Sequence, residues 1–226
     1  MIALILGILF GIAHYLSEAV CNKFSKHRDI LISFIAGISV SYVFVELFPG
    51  LFHENPAFRE VIFLFVLLGF FIFYVFEKYI YKHAKSKLIV KDLANLHSVA
   101  FFIYHFVIGL VLVDLISNKK EWLLLFIPVF LYSLVGEISL NEVHEHIKNK
   151  WYWRLLLALS TVFGVLTAYI INISMAFDLI LLGFVAGALI YIVVRESIPK
   201  ERSGNLLALS SGVVLYTFLI FLLKVI

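Results

Sequence analysis

The feature that most constrains this chain is a series of eight long apolar runs joined by short connections. A helix that spans a bilayer needs about 20 mostly apolar residues, so eight such helices take up roughly 160 of the 226 residues. Hydrophobic residues make up 63% of the chain and charged residues 15%, whereas a soluble domain has about 25% charged residues. The sequence therefore predicts a polytopic membrane protein, without room for a soluble catalytic domain or a nucleic-acid-binding module.

Charged residues, proline and glycine divide this all-α fold into its predicted helices. The expected ranges are about 2–20, 30–52, 59–80, 95–117, 121–146, 151–172, 176–198 and 204–225, with a loop at 81–94. We expect them to form a single transmembrane domain, residues 1–226. The first run lacks a basic lead-in and a small-residue cleavage site, so it is expected to be a retained helix rather than a removed signal peptide.

Lysine and arginine are distributed unevenly between the two sets of connections. Of the 18 basic residues, four lie in one set: Arg59, Lys119, Lys120 and Lys224. The other fourteen lie in the second set: Lys23, Lys26, Arg28, Lys78, Lys82, Lys85, Lys87, Lys91, Lys148, Lys150, Arg154, Arg195, Lys200 and Arg202. Short cytoplasmic loops carry the excess of positive charge. The second set is therefore predicted to be cytoplasmic, which places both termini outside and makes 81–94 the main cytoplasmic loop.

Helices two and seven share a sequence pattern. Phe34–Pro49 is FIAGISVSYVFVELFP and Phe184–Pro199 is FVAGALIYIVVRESIP, so that six of sixteen positions coincide at an offset of 150. The predicted topology orients these two helices in opposite directions, as in the inverted repeats of many secondary transporters. The pattern indicates an inverted repeat that relates helices 1–3 to helices 6–8, and it favours a transporter scaffold. Chance similarity between two apolar helices is the alternative.

Polar side chains are concentrated in helices four and five, although an ionisable group near the bilayer centre costs about 2.5–3.5 kcal/mol. At about 100° per residue, one face of helix five carries a polar stripe within roughly 80°. That stripe consists of Ser133, Glu137, Asn141 and His144, flanked by Glu145.

Counting residues from the turn at 118–119 predicts the depth of these groups. With a rise of about 1.5 Å per residue, His105 on helix four is level with Ser133, and His97 is level with Asn141. Glu137 falls between the two levels. Imidazole suits zinc, iron or nickel and carboxylate suits harder ions, so this series of groups is a candidate path for divalent metal ions.

Each polar residue also has a structural interpretation. A lone histidine in an apolar helix is more often a hydrogen-bonded core residue than a ligand. The last turn of helix five could be only its solvated end: Glu142, His144, Glu145 and His146. Glu137 has no neutralising neighbour in sequence, so it is either a ligand, protonated, or paired with His105 or His97. Acids near helix ends, Glu46 among them, are expected to be solvated or locally paired.

The chain resembles the ZIP (zinc–iron permease) family of divalent-metal transporters. The likeness spans nearly the whole length, and three motifs carry it. Ala36–Pro49, AGISVSYVFVELFP, resembles the family pattern A-G-x-x-L…H-L-L-P. Ala186–Pro199, AGALIYIVVRESIP, resembles A-G-x-x-x-Y…E-x-x-P, and Tyr104–Leu112, YHFVIGLVL, is similar to the metal-site helix H-S-V-V-I-G-L-S-L. The resemblance implies eight helices with both ends outside, and transport of a divalent metal.

The likeness is weakest at the ligand positions. Tyr104 stands where the family has histidine, His105 where it has asparagine or serine, and Ile108 where aspartate is frequent. In helix five, Ser133 replaces the first ligand and Glu137 keeps the second. A one-residue shift of helix four would let His105 act as the missing histidine. The resemblance thus implies a reduced metal site at His105 and Glu137, with Asn141, His144 and Glu145 lining the exit.

The leading hypothesis is a secondary permease that moves a divalent metal ion toward the cytoplasm, with zinc first and iron or manganese next. The first alternative is a ZIP-fold relative that has lost transport and serves as a membrane partner or regulator; Tyr104, Ile108 and Ser133 favour it. A carrier of protons or another solute, with Glu137 as its proton site, is the second. An enzyme ranks last, because the sequence shows neither a nucleophile–base pair nor a closed three-ligand motif.

Expectations about cofactors and partners follow from this hypothesis. The metal is cargo, and no tightly bound cofactor is expected. The single cysteine, Cys21, excludes an intrachain disulfide and a thiolate metal cluster. The expected partners are the metal ion and the lipid bilayer but no nucleic acid, and a homodimer is left open. Short loops and one cysteine fit a multi-pass protein of a prokaryotic plasma membrane.

Overall fold

A computed structural model of the chain describes residues 1–53, 56–83, 86–118, 122–135, 151–171, 174–194 and 204–225. These residues are helical and contain no strand, which confirms the predicted all-α class. The helices are α1 (Ile2–Lys23), α2 (Arg28–Ser41), α3 (Phe48–His53), α4 (Pro56–His83), α5 (Ser86–Asn118), α6 (Trp122–Val135), α7 (Trp151–Ala158), α8 (Ser160–Ile170), α9 (Met175–Ile192) and α10 (Leu206–Val225). A π-helical segment, Tyr42–Leu47, joins α2 to α3, and a 3₁₀ turn, Ser25–His27, joins α1 to α2.

Apolar helices occupy each predicted interval in the described part of the chain. Four stretches are long and apolar enough to cross a membrane: Asp29–Phe52, Phe58–Tyr79, Ser98–Ile116 and Leu206–Lys224. Four shorter apolar helices are Ile2–Ser17, Trp122–Leu134, Ser160–Ile170 and Ala176–Ile192. The architecture is therefore that of an all-α membrane protein.

The observed helices differ from the predicted ranges on the loop side of α5 and within the sixth interval. Helix α5 begins at Ser86, so most of the connection predicted at 81–94 is helical. Lysine is a good helix former, so the lysines of this stretch do not end a helix, although they make the stretch charged. In the sixth interval α7 ends at Ala158 and α8 begins at Ser160, whose hydroxyl donates to the Leu157 carbonyl (2.6 Å). The remainder of predicted helix five, residues 136–146, lies outside the described residues.

The helices pack as two groups. One group contains α1, α5, α6, α7 and α8, and the other contains α2, α4, α9 and α10. Contacts of α5 with α9 and of α2 with α6 join the groups. The most extensive interfaces are those of α4 with α9, of α2 with α10, and of α5 with α8.

Glycines bring α2 and α10 into backbone contact. A Cβ at Gly37 would overlap the Leu209 carbonyl oxygen, and a Cβ at Gly212 would overlap the Phe34 carbonyl oxygen. Small residues at such interfaces allow helices in a membrane to approach closely. Further along, Ser41 donates to the Val213 carbonyl (3.1 Å). Residue numbers rise together along both helices, so the two helices run parallel.

Helices α4 and α9 form a second parallel pair with the same kind of contact. A Cβ at Gly187 would overlap the Val66 carbonyl oxygen, and a Cβ at Gly69 would overlap the Phe184 carbonyl oxygen. The opposite face of α4 carries large side chains that are more than half exposed, Leu64, Leu67 and Phe71. In a membrane this face contacts lipid.

Proline shapes two of the helices without ending them. Pro128 lies inside α6 and has no N–H to donate to the Leu124 carbonyl four residues earlier. The Tyr216 hydroxyl of α10 donates to that carbonyl instead (2.7 Å). In the second helix, the π-helical segment ends two residues before Pro49, and local π geometry can satisfy the backbone groups that proline leaves free. Each proline therefore coincides with a rearranged hydrogen-bond pattern.

Candidate metal centre

His105 on α5 faces Ser133 on α6 in the protein interior. The imidazole Nε2 lies 2.9 Å from Ser133 Oγ, and both residues are 2% exposed. This contact confirms that His105 and Ser133 lie at the same level, as counting from the turn predicts. The two helices thus bring an imidazole and a hydroxyl together at the point where the sequence predicted the upper end of the polar stripe.

The hydrogen bond made by Nδ1 of His105 determines which ring nitrogen is available to a ligand. His105 Nδ1 donates to the Phe101 carbonyl oxygen at 3.1 Å, so Nδ1 carries a proton. In the neutral imidazole, Nε2 then holds the lone pair and accepts from the Ser133 hydroxyl. In the imidazolium form, Nε2 donates to Ser133 Oγ, and the hydroxyl donates to the Val129 carbonyl at 2.8 Å. Metal-binding histidines have the neutral arrangement: one ring nitrogen binds the metal, and the other donates its N–H to a carbonyl or carboxylate.

A stack of three rings holds the His105 imidazole in place. The Phe101 ring lies against His105 with centroids 3.7 Å apart and an interplanar angle of 22°. Its other neighbour in the stack is His14 of α1, at 4.3 Å and 29°. Phe10 of α1 meets the His105 ring edge-on at 6.2 Å. Helix α1 therefore supplies two rings to the surroundings of His105, and the orientation of this side chain is restricted by packing as well as by hydrogen bonds.

Tyr104 is buried beside His105. Its ring meets the imidazole edge-on with centroids 5.2 Å apart. Its hydroxyl oxygen has no hydrogen-bond partner among the residues that the structure describes. His105 is the residue that forms a hydrogen bond with Ser133 of α6.

Two buried tyrosines should respond oppositely to removal of the hydroxyl. We expect Tyr216→Phe to lower the free energy of unfolding by about 1–3 kcal/mol, because the Leu124 carbonyl beside Pro128 loses its donor. We expect Tyr104→Phe to raise it by about 1 kcal/mol, because a buried hydroxyl without a partner is removed. Thermal melting of the two variants in the same detergent measures the difference. A loss of stability in Tyr104→Phe would mean that its hydroxyl is hydrogen-bonded in the folded protein.

Glu46 differs from its expected setting. The carboxylate was predicted to be solvated or locally paired, but its side chain is 7% exposed, and its Oε2 lies 2.8 Å from Lys224 Nζ. The two residues are far apart in sequence, so the expectation of a local partner was wrong. The ion pair joins the π-helical segment to the end of α10.

Most of the predicted ligand set lies outside the described residues. Only His105 of the five is described; the others fall within residues 136–150: Glu137, Asn141, His144 and Glu145. Within the described ranges, no three His, Cys, Asp or Glu side chains come together in a way that could hold a metal ion. The complete coordination of His105 with helix five therefore stays a prediction.

His14 is the residue beside the site that was not identified from the sequence. It is 7% exposed, and its neighbour Ser17, which donates to the His14 carbonyl at 2.6 Å, is fully buried. Gly11, His14 and Ser17 recur every three residues along α1, a spacing that places them near one face. That polar spacing was the available signal.

No protein-family model matches the chain, and no curated protein matches it.

Proposed function

We propose that this protein is a ZIP-like secondary transporter that moves a divalent metal ion, with zinc as the first candidate, across the membrane toward the cytoplasm. In this proposal the chain crosses a plasma membrane eight times with both termini outside. His105 and Glu137 bind the ion at mid-membrane, and Asn141, His144 and Glu145 line the exit.

The observation that carries the proposal is the orientation of His105. Its Nδ1–H is held by a backbone carbonyl, its ring is fixed between aromatic side chains, and its Nε2 faces helix α6. The Nε2 partner is the neutral Ser133 hydroxyl, which a metal ion can replace without separating an ion pair. The geometry thus supports a metal-binding nitrogen directed toward α6, the helix that is predicted to continue to Glu137.

Helix packing supports an inverted repeat within this transporter. Gly37 and Gly187, 150 residues apart, each meet a backbone carbonyl of a parallel partner helix. Phe34 and Phe184, related by the same offset, each place a carbonyl over a glycine of that partner. A π-helical segment begins at Tyr42 in the first copy, and Val193 and Val194 have π geometry at the matching place in the second. Equivalent residues thus make equivalent contacts, as an inverted repeat predicts.

Helix directions support the eight-crossing topology. The α2–α10 pair and the α4–α9 pair run parallel, while α1 and α8 run antiparallel, with Gly7 beside Val162 and Gly11 beside Ala158. A chain that crosses the membrane eight times requires these three relations, whichever side its termini lie on.

One feature favours the alternative, a ZIP-fold protein that does not transport. The hydroxyl of Ser133 occupies the Nε2 side of His105 and belongs to a position where the family has a stronger ligand. In that case the His105–Ser133 hydrogen bond is purely structural, and the protein acts as a membrane partner or regulator.

Metal flux into proteoliposomes separates these functions. We expect zinc, iron(II), manganese or cadmium to enter vesicles that contain the protein, and we expect His105→Ala to reduce the rate to that of protein-free vesicles because the imidazole ligand is lost. His27→Ala is the matched control, since His27 is exposed in the 3₁₀ turn between α1 and α2. If the folded wild-type protein moves none of these metals, the transport-silent alternative is favoured.

A further inference from the structure

Besides the His105–Ser133 contact, the interior contains the carboxylate of Glu46. Its side chain is only 7% exposed, whereas that of Lys224, its partner at 2.8 Å, is 44% exposed. The buried acid is thus neutralised by a cation that reaches it from the surface. A lysine at a helix end in a membrane ordinarily extends toward water. Here its ammonium group turns to a carboxylate inside the bundle instead.

The backbone around Glu46 brings this carboxylate to the inside of the bundle. Glu46 lies in the π-helical segment Tyr42–Leu47, which contains wider turns than an α-helix and is a geometry often found at functional sites. The segment packs against α6, α9 and α10. Near the beginning of α6, the Leu124 carbonyl bonds to Tyr216 of α10, the helix that also carries Lys224, and Ser133 lies nine residues after Leu124, or roughly 13 Å further along α6. The carboxylate is therefore placed at one end of a helix whose other end carries the His105 contact.

We propose that Glu46 is a cation-binding position on the access route to His105, and that the ammonium group of Lys224 occupies it as a built-in competitor for a divalent cation. The inference rests on the proposed function for the identity of the cargo. When a divalent cation binds the carboxylate, Lys224 Nζ leaves Oε2 and turns to water, which its exposure permits. Carboxylate oxygens and water suit a hard divalent ion such as Mn²⁺.

Manganese binding to the purified full-length protein in detergent tests this proposal. The free Mn²⁺ concentration is followed by electron paramagnetic resonance as the protein is titrated. We expect Lys224→Gln to bind Mn²⁺ at least about tenfold more tightly than the wild type, because the competing charge beside the carboxylate is gone. In the double variant Glu46→Gln/Lys224→Gln, we expect this gain to be absent.

The same titration separates this proposal from the proposed function. The gain from Lys224→Gln should persist in a His105→Ala background, because the two positions are distinct. If Lys224→Gln gains affinity for Mn²⁺ while the wild-type protein moves no metal into vesicles, the Glu46 position is supported and the transporter is contradicted. Wild-type affinity in Lys224→Gln, or a gain that survives in the double variant, would show that the ion pair is only structural and would overturn the proposal.

A measurement on the unaltered protein covers the case in which Lys224→Gln does not fold. Acetic anhydride modifies free amines, so the acetylation rate of Lys224, followed by mass spectrometry, reports whether its ammonium is held by Glu46. We expect Mn²⁺ to increase this rate at least about twofold while the rate at exposed Lys82 is unchanged. An unchanged rate at Lys224 over the same Mn²⁺ range would overturn the proposal.

Discussion

Replacing Glu137 with alanine is expected to reduce metal flux to the level of protein-free vesicles without removing folded protein from the membrane. Glu137 follows Ser133 by four residues, about one helical turn or 6 Å. Since Ser133 Oγ contacts His105 Nε2, that spacing predicts that the carboxylate lies within reach of the same ion. Loss of the one carboxylate that pairs with the imidazole leaves too few ligands for a divalent metal. The initial rate of zinc uptake measures the effect.

Glu142 is the matched control on the same predicted helix. Helical spacing directs it away from the stripe that contains Glu137, so Glu142→Ala should keep wild-type flux. Uptake at the wild-type rate in Glu137→Ala would remove Glu137 from the site. Equal losses in both variants would assign the effect to the end of helix five as a whole.

A side chain at Gly187 is expected to separate α4 from α9. A Cβ there would overlap the Val66 carbonyl oxygen and crowd the Phe70 amide nitrogen, and these backbone atoms cannot move unless the helices move apart. We expect Gly187→Val to lower the free energy of unfolding by about 3 kcal/mol or more, at the upper end of the cost of overpacking. Gly37→Val should have a similar effect on the α2–α10 pair, because the second glycine has the same contact. Thermal melting in detergent measures both.

Gly50→Ala controls for the loss of a glycine as such. Nothing lies within 4 Å of a Cβ at Gly50, so this substitution should leave the melting temperature near that of the wild type. If Gly187→Val has the same melting temperature as Gly50→Ala, α4 and α9 do not approach closely at Gly187 in the folded protein. If Gly37→Val is tolerated while Gly187→Val is not, the two pairs are not equivalent, and the repeat loses its packing support.

Features that depend on residues near each other along the chain were predictable. Apolar length located the helices, and counting from one tight turn brought His105 level with Ser133, because an α-helix has a constant rise. Charge was a poorer guide to helix ends. The lysines between residues 81 and 94 indicated a loop, yet α5 begins at Ser86, since lysine tolerates a helix well.

Features that depend on tertiary packing were not predictable. Nothing near Glu46 in sequence points to Lys224, because that contact exists only through the parallel packing of α2 and α10. The stack of His14 on Phe101 likewise requires α1 to pack against α5. A single sequence records which residues are polar but not which helix lies beside them. Partners on distant helices therefore had to come from the structure.

The bond from Tyr216 to the Leu124 carbonyl has a consequence for biosynthesis. Pro128 leaves that carbonyl without its helical donor, and the donor that replaces it lies in α10, which is synthesised after α6. Until α10 enters the bilayer, α6 carries an unsatisfied acceptor in lipid, and the carbonyls that contact α10 lack their glycine partners. Ribosomes that stall before residue 216 would thus leave an assembly with unpaired backbone carbonyls where α10 normally packs. We expect membrane quality-control proteases to recognise such an assembly. Insertion of α10, rather than of each earlier helix in turn, supplies these missing partners.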